Sequence, residues 1–473
     1  MKKKIILISL IALLLYVSAA SAADNSKIKM PKDSISTKKV KHIELKDKKV
    51  KKSKTKNTDK KAVKKQKKTK KQNNENKITT INDYKTYEEF KQTVESSKDG
   101  DTVKLTENIK SQDTINVKAN NLIIDGQGFT IDGDNHRIFH ITGNNTIIQN
   151  LKFINGKSDN GGAIYVEANQ CSMKKCEFNN NNADNNGGAV YCEGKLNCTD
   201  CIFKNNHISK KSVTYGGAIC SKNSVTIDKC TFENNEGYNG ESIYIGEGNS
   251  TIKNSQFKNN NVNHYGAGIC TEDNLFVQNC TFIKNEAIAA GRTAGGAIYS
   301  KKRVSVNSST FEDNETSGAF MFDCIGGAIY CGNIYCNSTT FKENYAWDQG
   351  GAIYINSFGN STIKNSIFIK NKNEYYGGAI YLASVTSHIS LIHNIFTENY
   401  VRGKLRSIAY TKGYFDEISK NYFYSEKPNW SSHLLCREGT TTVIDCEDSN
   451  YARTMEDTIT WDLPKISIIL ICE

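Results

Sequence analysis

Proline is almost missing from this 473-residue chain, with three in all, and aromatic side chains are missing altogether from residues 26–77. After residue 23 no apolar run approaches the roughly 20 residues that a membrane-spanning helix needs. The late run 466–472 is far too short, so the sequence predicts no transmembrane segment in a mature chain. The aromatic-free stretch consists largely of Lys, Asn, Thr and Ser. Such a composition buries too little apolar surface to offset ordering, which excludes a packed core there.

Acidic residues are also in deficit, 50 against 62 Lys and Arg, but the imbalance is local. Of the net charge of +12, +16 falls within residues 24–77 and +3 within residues 1–23, which leaves −7 for residues 78–473. The basic arm at 24–77 is expected to be disordered. It is suited either to an anionic wall polymer or lipid surface, or to service as a solvated spacer. Residues 1–23 carry Lys2, Lys3 and Lys4, a short apolar run and Ala20-Ser21-Ala22, the pattern of a cleaved secretory signal peptide. Export predicts an extracellular or cell-surface location and makes nucleic acid an unexpected partner for the lysines.

With 38% apolar residues the remainder is able to bury a sizeable core, and its length favours a repeat architecture or two domains over one globule. Repeats are present. Gly-Gly-Ala-Ile-Tyr occurs at Gly161, Gly295, Gly326, Gly350 and Gly377, with variants at Gly187, Gly216, Gly240 and Gly266. The nine copies have a mean spacing of 27 residues. Between them Phe is followed three residues later by Asn, from Phe178/Asn181 to Phe396/Asn399.

Alignment on Phe gives columns of constant chemistry. Five residues earlier stands an apolar residue (Ile148, Met173, Cys198, Ile227, Ile252 and onward), and two earlier a small one (Cys176, Cys201, Cys230, Ser255 and onward). Both are expected to face inward, the second beside a bend. The Ile of Gly-Gly-Ala-Ile-Tyr forms a third inward column, and a strand period of two points its flanking Ala and Tyr outward. The paired glycines mark a bend where a side chain would clash or φ is positive. The Asn column fits a buried amide ladder. These columns predict an all-β right-handed parallel β-helix of about a dozen coils over residues 78–446, with a tail or cap at 447–473. Thr86-Tyr87-Glu88-Glu89 has the form of a capping box, with Tyr87, Phe90 and Val94 on one face of a short N-terminal capping helix.

Alternating Gly-Gly-Ala-Ile and Phe-x-x-Asn motifs over about residues 123–399 resemble the polymorphic outer-membrane-protein repeats, and the whole chain looks like the adhesin-like proteins of methanogenic archaea. The resemblance implies a right-handed parallel β-helix exposed at the cell surface with an adhesive role. Outer-membrane relatives end in a membrane β-barrel, for which residues 446–473 are too few, so the archaeal type is the closer match. The wall-binding or immunoglobulin-like modules into which archaeal relatives often continue are not seen either.

Three sets of residues carry candidate chemistry. The outward Tyr165, Tyr191, Tyr244, Tyr299, Tyr330, Tyr354 and Tyr381, interrupted by Cys220 and Cys270, offer a row of rings on which sugars stack. Alternatively, they stabilise neighbouring strands. Asp125, Asp132, Asp134, His136 and Arg137 are the densest cluster for a polysaccharide lyase or hydrolase, although each Asp-Gly among them is also an ordinary coil turn. Cys198-x-x-Cys201 has the spacing of half a zinc site, yet both positions fall in inward columns, where thiols pack as small hydrophobes. Pairing of Cys176, Cys201 or Cys230 between coils and of Cys436 with Cys446 stays open. No metal or cofactor is expected. The reading is an adhesin-like protein that binds glycan, cell-wall polymer or other cells through a repetitive face. A polysaccharide-degrading enzyme and a purely structural surface protein are the alternatives.

Overall fold

A computed structural model describes residues 80–81, 86–209, 214–237, 242–318, 323–356, 359–402, 407–412, 414–424, 432–436, 443–444 and 447–448, all within one compact unit, Asn74–Glu473. The expected signal peptide, the Lys-rich arm, Cys446 with its staple to Cys436, and all of the tail after residue 448 lie outside the described residues.

The unit is a right-handed parallel β-helix of about 11 turns with one short helix near its N-terminus. A representative coil runs through the strands Thr146–Gln149, Lys152–Ile154, Lys157–Asn160 and Ile164–Val166. Each strand pairs in parallel with its equivalent one coil later, building stacks of 15, 14, 10 and 13 strands among the described residues. Helix α1, Tyr87–Ser96, closes the N-terminal end. The Thr86 hydroxyl accepts the Glu89 N–H, and Tyr87, Phe90 and Val94 are buried as the capping box predicts.

Four turns close each coil, and three of them are corners of recurrent chemistry. The first two are single left-handed residues, one just before the small column (Asn150, Lys175, Asp200, Lys229, φ 51° to 54°), the other two after Phe (Asn155, Asn180, Asn205, Asn234, φ 54° to 57°). Asn recurs at both because its short amide tolerates this region better than most side chains. The third corner is the glycine pair, and its two members answer different demands. Gly326 has φ +67°, whereas a Cβ on Gly327 would stand 2.2 Å from the Gly351 carbonyl oxygen of the next coil.

Inside, like stacks on like. Phe153 to Phe396 form one column with ring centroids 4.7 to 5.0 Å apart and planes within 10° of parallel. The column five before Phe is fully buried, as is the Ile column. Beside Phe runs the amide ladder from Asn181 to Asn399. Asn285 Nδ2 donates to Asn314 Oδ1 (2.9 Å) and to the Phe257 carbonyl (3.0 Å), while its Oδ1 accepts from Asn260 Nδ2 (2.8 Å). Repetition satisfies the side chains completely, which is what a buried polar column requires.

One expectation is overturned. Ala163, Ala189, Ala297, Ala328, Ala352 and Ala379 do not point outward: all are fully buried in the core. The strand begins at the following Ile, so Ala still belongs to the glycine corner, where the alternation of a strand does not apply.

Candidate functional site

The amide ladder starts at Asn181; one coil earlier the equivalent position is Gly156, whose N–H donates to Asn181 Oδ1 (2.9 Å). Beside this end of the ladder lies a polar groove of about 330 Å³ lined by Asp132, Asp134, Asn135, Asn155, Gly156, Lys157, Asn180, Asn182 and His207. Asn155 and Asn180 are left-handed corner residues, and Lys157, Asn182 and His207 stand in register on three successive strands of the 10-stranded stack. Hydrogen bonds order one wall. Asn180 Nδ2 donates to Asn155 Oδ1 (2.8 Å), Asn155 Nδ2 to Asp132 Oδ1 (3.1 Å), and the Asp134 N–H to the same oxygen (3.0 Å). Lys110 pairs with Asp134 at 2.9 Å, a contact that raises the lysine pKa. The groove therefore offers two carboxylates, several amides, an ammonium and an imidazole, a set suited to hydroxyl-rich ligands and, through His207 and the acids, to proton transfer.

Of the acidic cluster expected from sequence, only Asp132 and Asp134 enter this groove. Asp125 sits at the other left-handed corner and is 8% exposed. Burial pushes its carboxyl up, but hydrogen bonds from Asn150, Gln127 and Gln149 more than offset this and hold it below the usual carboxylate range. Arg137 turns away to Ser158 Oγ (2.6 Å) and the Asn160 carbonyl (3.0 Å), with its guanidinium over the Tyr165 ring. His136 is exposed on the turn between them. Asn155, Lys157, Asn180, Asn182 and His207 went unnoticed in the sequence, yet each lies two or four places after a column phenylalanine. The signal was in the alignment, masked by the abundance of Asn.

The tyrosine stripe does stack outside the core, with centroid spacings of 4.7 Å for Tyr299/Tyr330, 5.4 Å for Tyr330/Tyr354 and 5.1 Å for Tyr354/Tyr381. The open row expected from sequence is not formed, however. Ala294, Ile325, Tyr265 and Tyr376, from the corners that precede the glycine pairs, pack over it as a second apolar cluster. Tyr191, Tyr330, Tyr354 and Tyr381 are 8% exposed or less. Burial pushes the hydroxyls of Tyr299 and Tyr354 well above their usual pKa, and Tyr330 upward, with Asn356 Nδ2 donating to the Tyr330 oxygen (2.7 Å). Only Tyr165, Tyr244 and Tyr299 keep partial exposure, so a continuous sugar platform on this stripe lacks accessible rings.

Cys198 and Cys201 occupy the inward columns foreseen for them and are fully buried, and the twelve cysteines from Cys171 to Cys336 are all free thiols. Among the described residues no grouping of His, Cys, Asp and Glu has metal-holding geometry.

No curated protein matches the chain. Among solved structures it is similar to the alginate lyase AlyF-OU02 in complex with G6 (13% identity, 76% of this chain and 88% of that one, TM-score 0.37). It is also similar to a PL6 alginate lyase in complex with a trisaccharide (12%, 80% and 97%, TM-score 0.38). A third is the catalytic unit of a GH87 alpha-1,3-glucanase from Streptomyces thermodiastaticus strain HF3-3 (12%, 80% and 68%, TM-score 0.39). The model of the right-handed beta helix region matches residues 136–291 and 219–401, more than half of the sequence. With its parallel stacks and unbroken internal ladders, the chain belongs to the right-handed β-helix family.

Proposed function

We propose that this protein is an exported, surface-located β-helix of adhesin-like role that holds a glycan or cell-wall polymer, with the Lys-rich residues 24–77 contacting an anionic envelope. The observation that carries the reading is the open groove where the amide ladder begins. Carboxylates, amides and Lys157 converge there on a surface able to donate to and accept from ring hydroxyls. The test is binding of the whole chain to a panel of soluble wall polymers and oligosaccharides, repeated with Asp132→Asn/Asn182→Ala. Binding that weakens about tenfold in the variant supports the groove, and a panel without binders refutes the reading.

A second reading has its own observation: Asp132, Asp134 and His207 line that same groove, and paired acid and base groups are what glycosidic cleavage needs. Polymers incubated with the chain and assayed for new reducing or unsaturated ends separate the two. Product that disappears with Asp132→Asn and Asp134→Asn makes the protein an enzyme; binding without product makes it an adhesin-like binder.

A further inference from the structure

The outer face of the 15-stranded stack carries a feature that none of the repeat motifs announces. Thr251, Phe276, Ser305, Tyr335 and Thr362 occupy a single outward column, in register over five successive coils. All but the two rings are small. Phe276 is half-buried and Tyr335 is 36% exposed, and among the described residues neither ring belongs to an apolar cluster of the kind in which Ala294 and Ile325 cover the tyrosine stripe. Two coils separate the rings, about 9.6 Å at the usual strand spacing, the order of an extended disaccharide, and Ser305 leaves the space between them low.

Charge on this face is one-sided. The strands Ser250–Lys253, Leu275–Gln278, Arg303–Asn307, Asn333–Asn337, Gly359–Lys364 and Ser387–Ile392 contain Lys253, Arg303, Lys364 and His388 but no Asp or Glu, within a region whose net charge is −7. At the adjoining turns Glu272 pairs with Lys301 and Asp273 with Lys302, while Glu247 is exposed. On the strands themselves carboxylates return at the flanking coils, as Asp228 on one side and Asp416 and Glu417 on the other. The cations flank the column, Lys253 and Lys364 two places after it and Arg303 two places before it. Lys253 Nζ lies 5.6 Å from the Phe276 ring centre, Arg303 stands on the intermediate coil, and Lys364 Nζ lies 5.2 Å from the Tyr335 ring centre. The series Lys, Phe, Arg, Tyr, Lys spans four coil steps, roughly 19 Å.

We infer that this face is a second binding site, for an acidic polysaccharide lying along the helix axis, its sugar faces stacked on Phe276 and Tyr335 and its carboxylates met by Lys253, Arg303 and Lys364. Stacking supplies the recognition of pyranose rings, and the cations select a uronate over a neutral chain. The inference rests on the polymer-binding reading but places this ligand away from the N-terminal groove.

The test uses the whole chain with a galacturonate tetramer and its fully methyl-esterified counterpart as probes, read by hydroxyl-radical footprinting so that the Lys-rich arm is scored separately. The expected result is protection of the peptides holding Phe276 and Tyr335 by the acid and not by the ester, diminished by added salt. Phe276→Ser/Tyr335→Ser and, separately, Lys253→Gln/Arg303→Gln/Lys364→Gln should each weaken the tetramer's binding about tenfold. The substituted side chains point outward, and the charge variant carries the test if the ring variant loses its β-sheet circular dichroism. Protection confined to residues 24–77 or to the groove, or equal protection by the ester, overturns this site and leaves the polymer-binding reading standing. If this tetramer protects nothing and no polymer of the wider panel binds, both fall.

Discussion

Replacement of Asn285 by alanine is the most direct trial of the argument that the amide ladder holds the coils in register. Its side chain takes part in four contacts: donation to Phe257 O and Asn314 Oδ1, and acceptance from Asn260 Nδ2 and, at 3.4 Å, from the Asn260 N–H. Alanine leaves the Phe257 carbonyl and the Asn260 N–H without these partners at a fully buried position. Asn314 Oδ1 keeps the Asn285 N–H (3.1 Å), and Asn260 Nδ2 keeps the Phe232 carbonyl (3.1 Å), so those two groups are only partly deprived. Two buried orphans at about 1–3 kcal/mol each give an expected loss near 4 kcal/mol. Asn279→Ala, at an exposed corner of the same coil, removes one solvent-facing hydrogen bond and the left-handed tolerance of Asn, and should cost about 1 kcal/mol. Urea unfolding compares the two, with hydrogen exchange of the coils on either side of Asn285, since a solenoid is able to open locally. Equal midpoints for the two variants, with unchanged exchange beside Asn285, would refute the ladder as a determinant of register.

Three further outcomes follow from the same geometry. Tyr354→Ala should destabilise the fold by about 3 kcal/mol in urea while polymer binding by the folded fraction stays unchanged; a selective loss of binding would return the stripe to the list of ligand sites. Burial, reinforced by Glu315 and Asp313, raises the Glu286 carboxyl above its usual pKa. Its contribution to stability is therefore complete below the ordinary carboxylate range and is lost as pH rises through the raised value. Glu286→Gln should accordingly match the parent in thermal midpoint near pH ~4 and exceed it at pH ~7, and a variant advantage that shrinks on raising pH contradicts that sign. Gly327→Ala drives a methyl group onto the Gly351 and Tyr345 carbonyl oxygens, 2.2 and 2.5 Å from the new carbon; accelerated exchange at the amides joining those coils is expected, and an unaltered exchange pattern would show that the close approach is dispensable.

What the sequence made legible was whatever repeats with fixed spacing. The Phe, Ile, Asn and small columns recur at constant offsets, and each stacks on itself, so reading one coil reads them all. The alternation of a strand does not reach Ala163 and its equivalents because each lies one residue inside the bend, before the strand begins at Ile. The covering of the tyrosine stripe was illegible for a different reason. Ala294, Ile325, Tyr265 and Tyr376 each stand one place before a glycine pair, but that position has no constant chemistry, since it is Asn160, Asn186 and Gln349 in other coils, so no column announces them. The face holding Phe276 and Tyr335 escaped notice because the two rings interrupt a column of Ser and Thr instead of recurring. The polar groove is legible only in retrospect, since its lining residues are spread over successive coils at positions where Asn is common throughout the chain.

The ladders also give the molecule an arithmetic of its own. Each internal column looks the same from any coil, so excision of residues 257–281 would set Gln256 directly before Phe282 and rejoin Phe to Phe, Asn to Asn and corner to corner. Removal of one residue between Phe282 and Asn285 would instead throw the amide out of its column. For such a chain the large deletion is the gentle one. Its natural unit of gain and loss is the whole turn, and length becomes a property that unequal recombination can adjust without the interior registering the change.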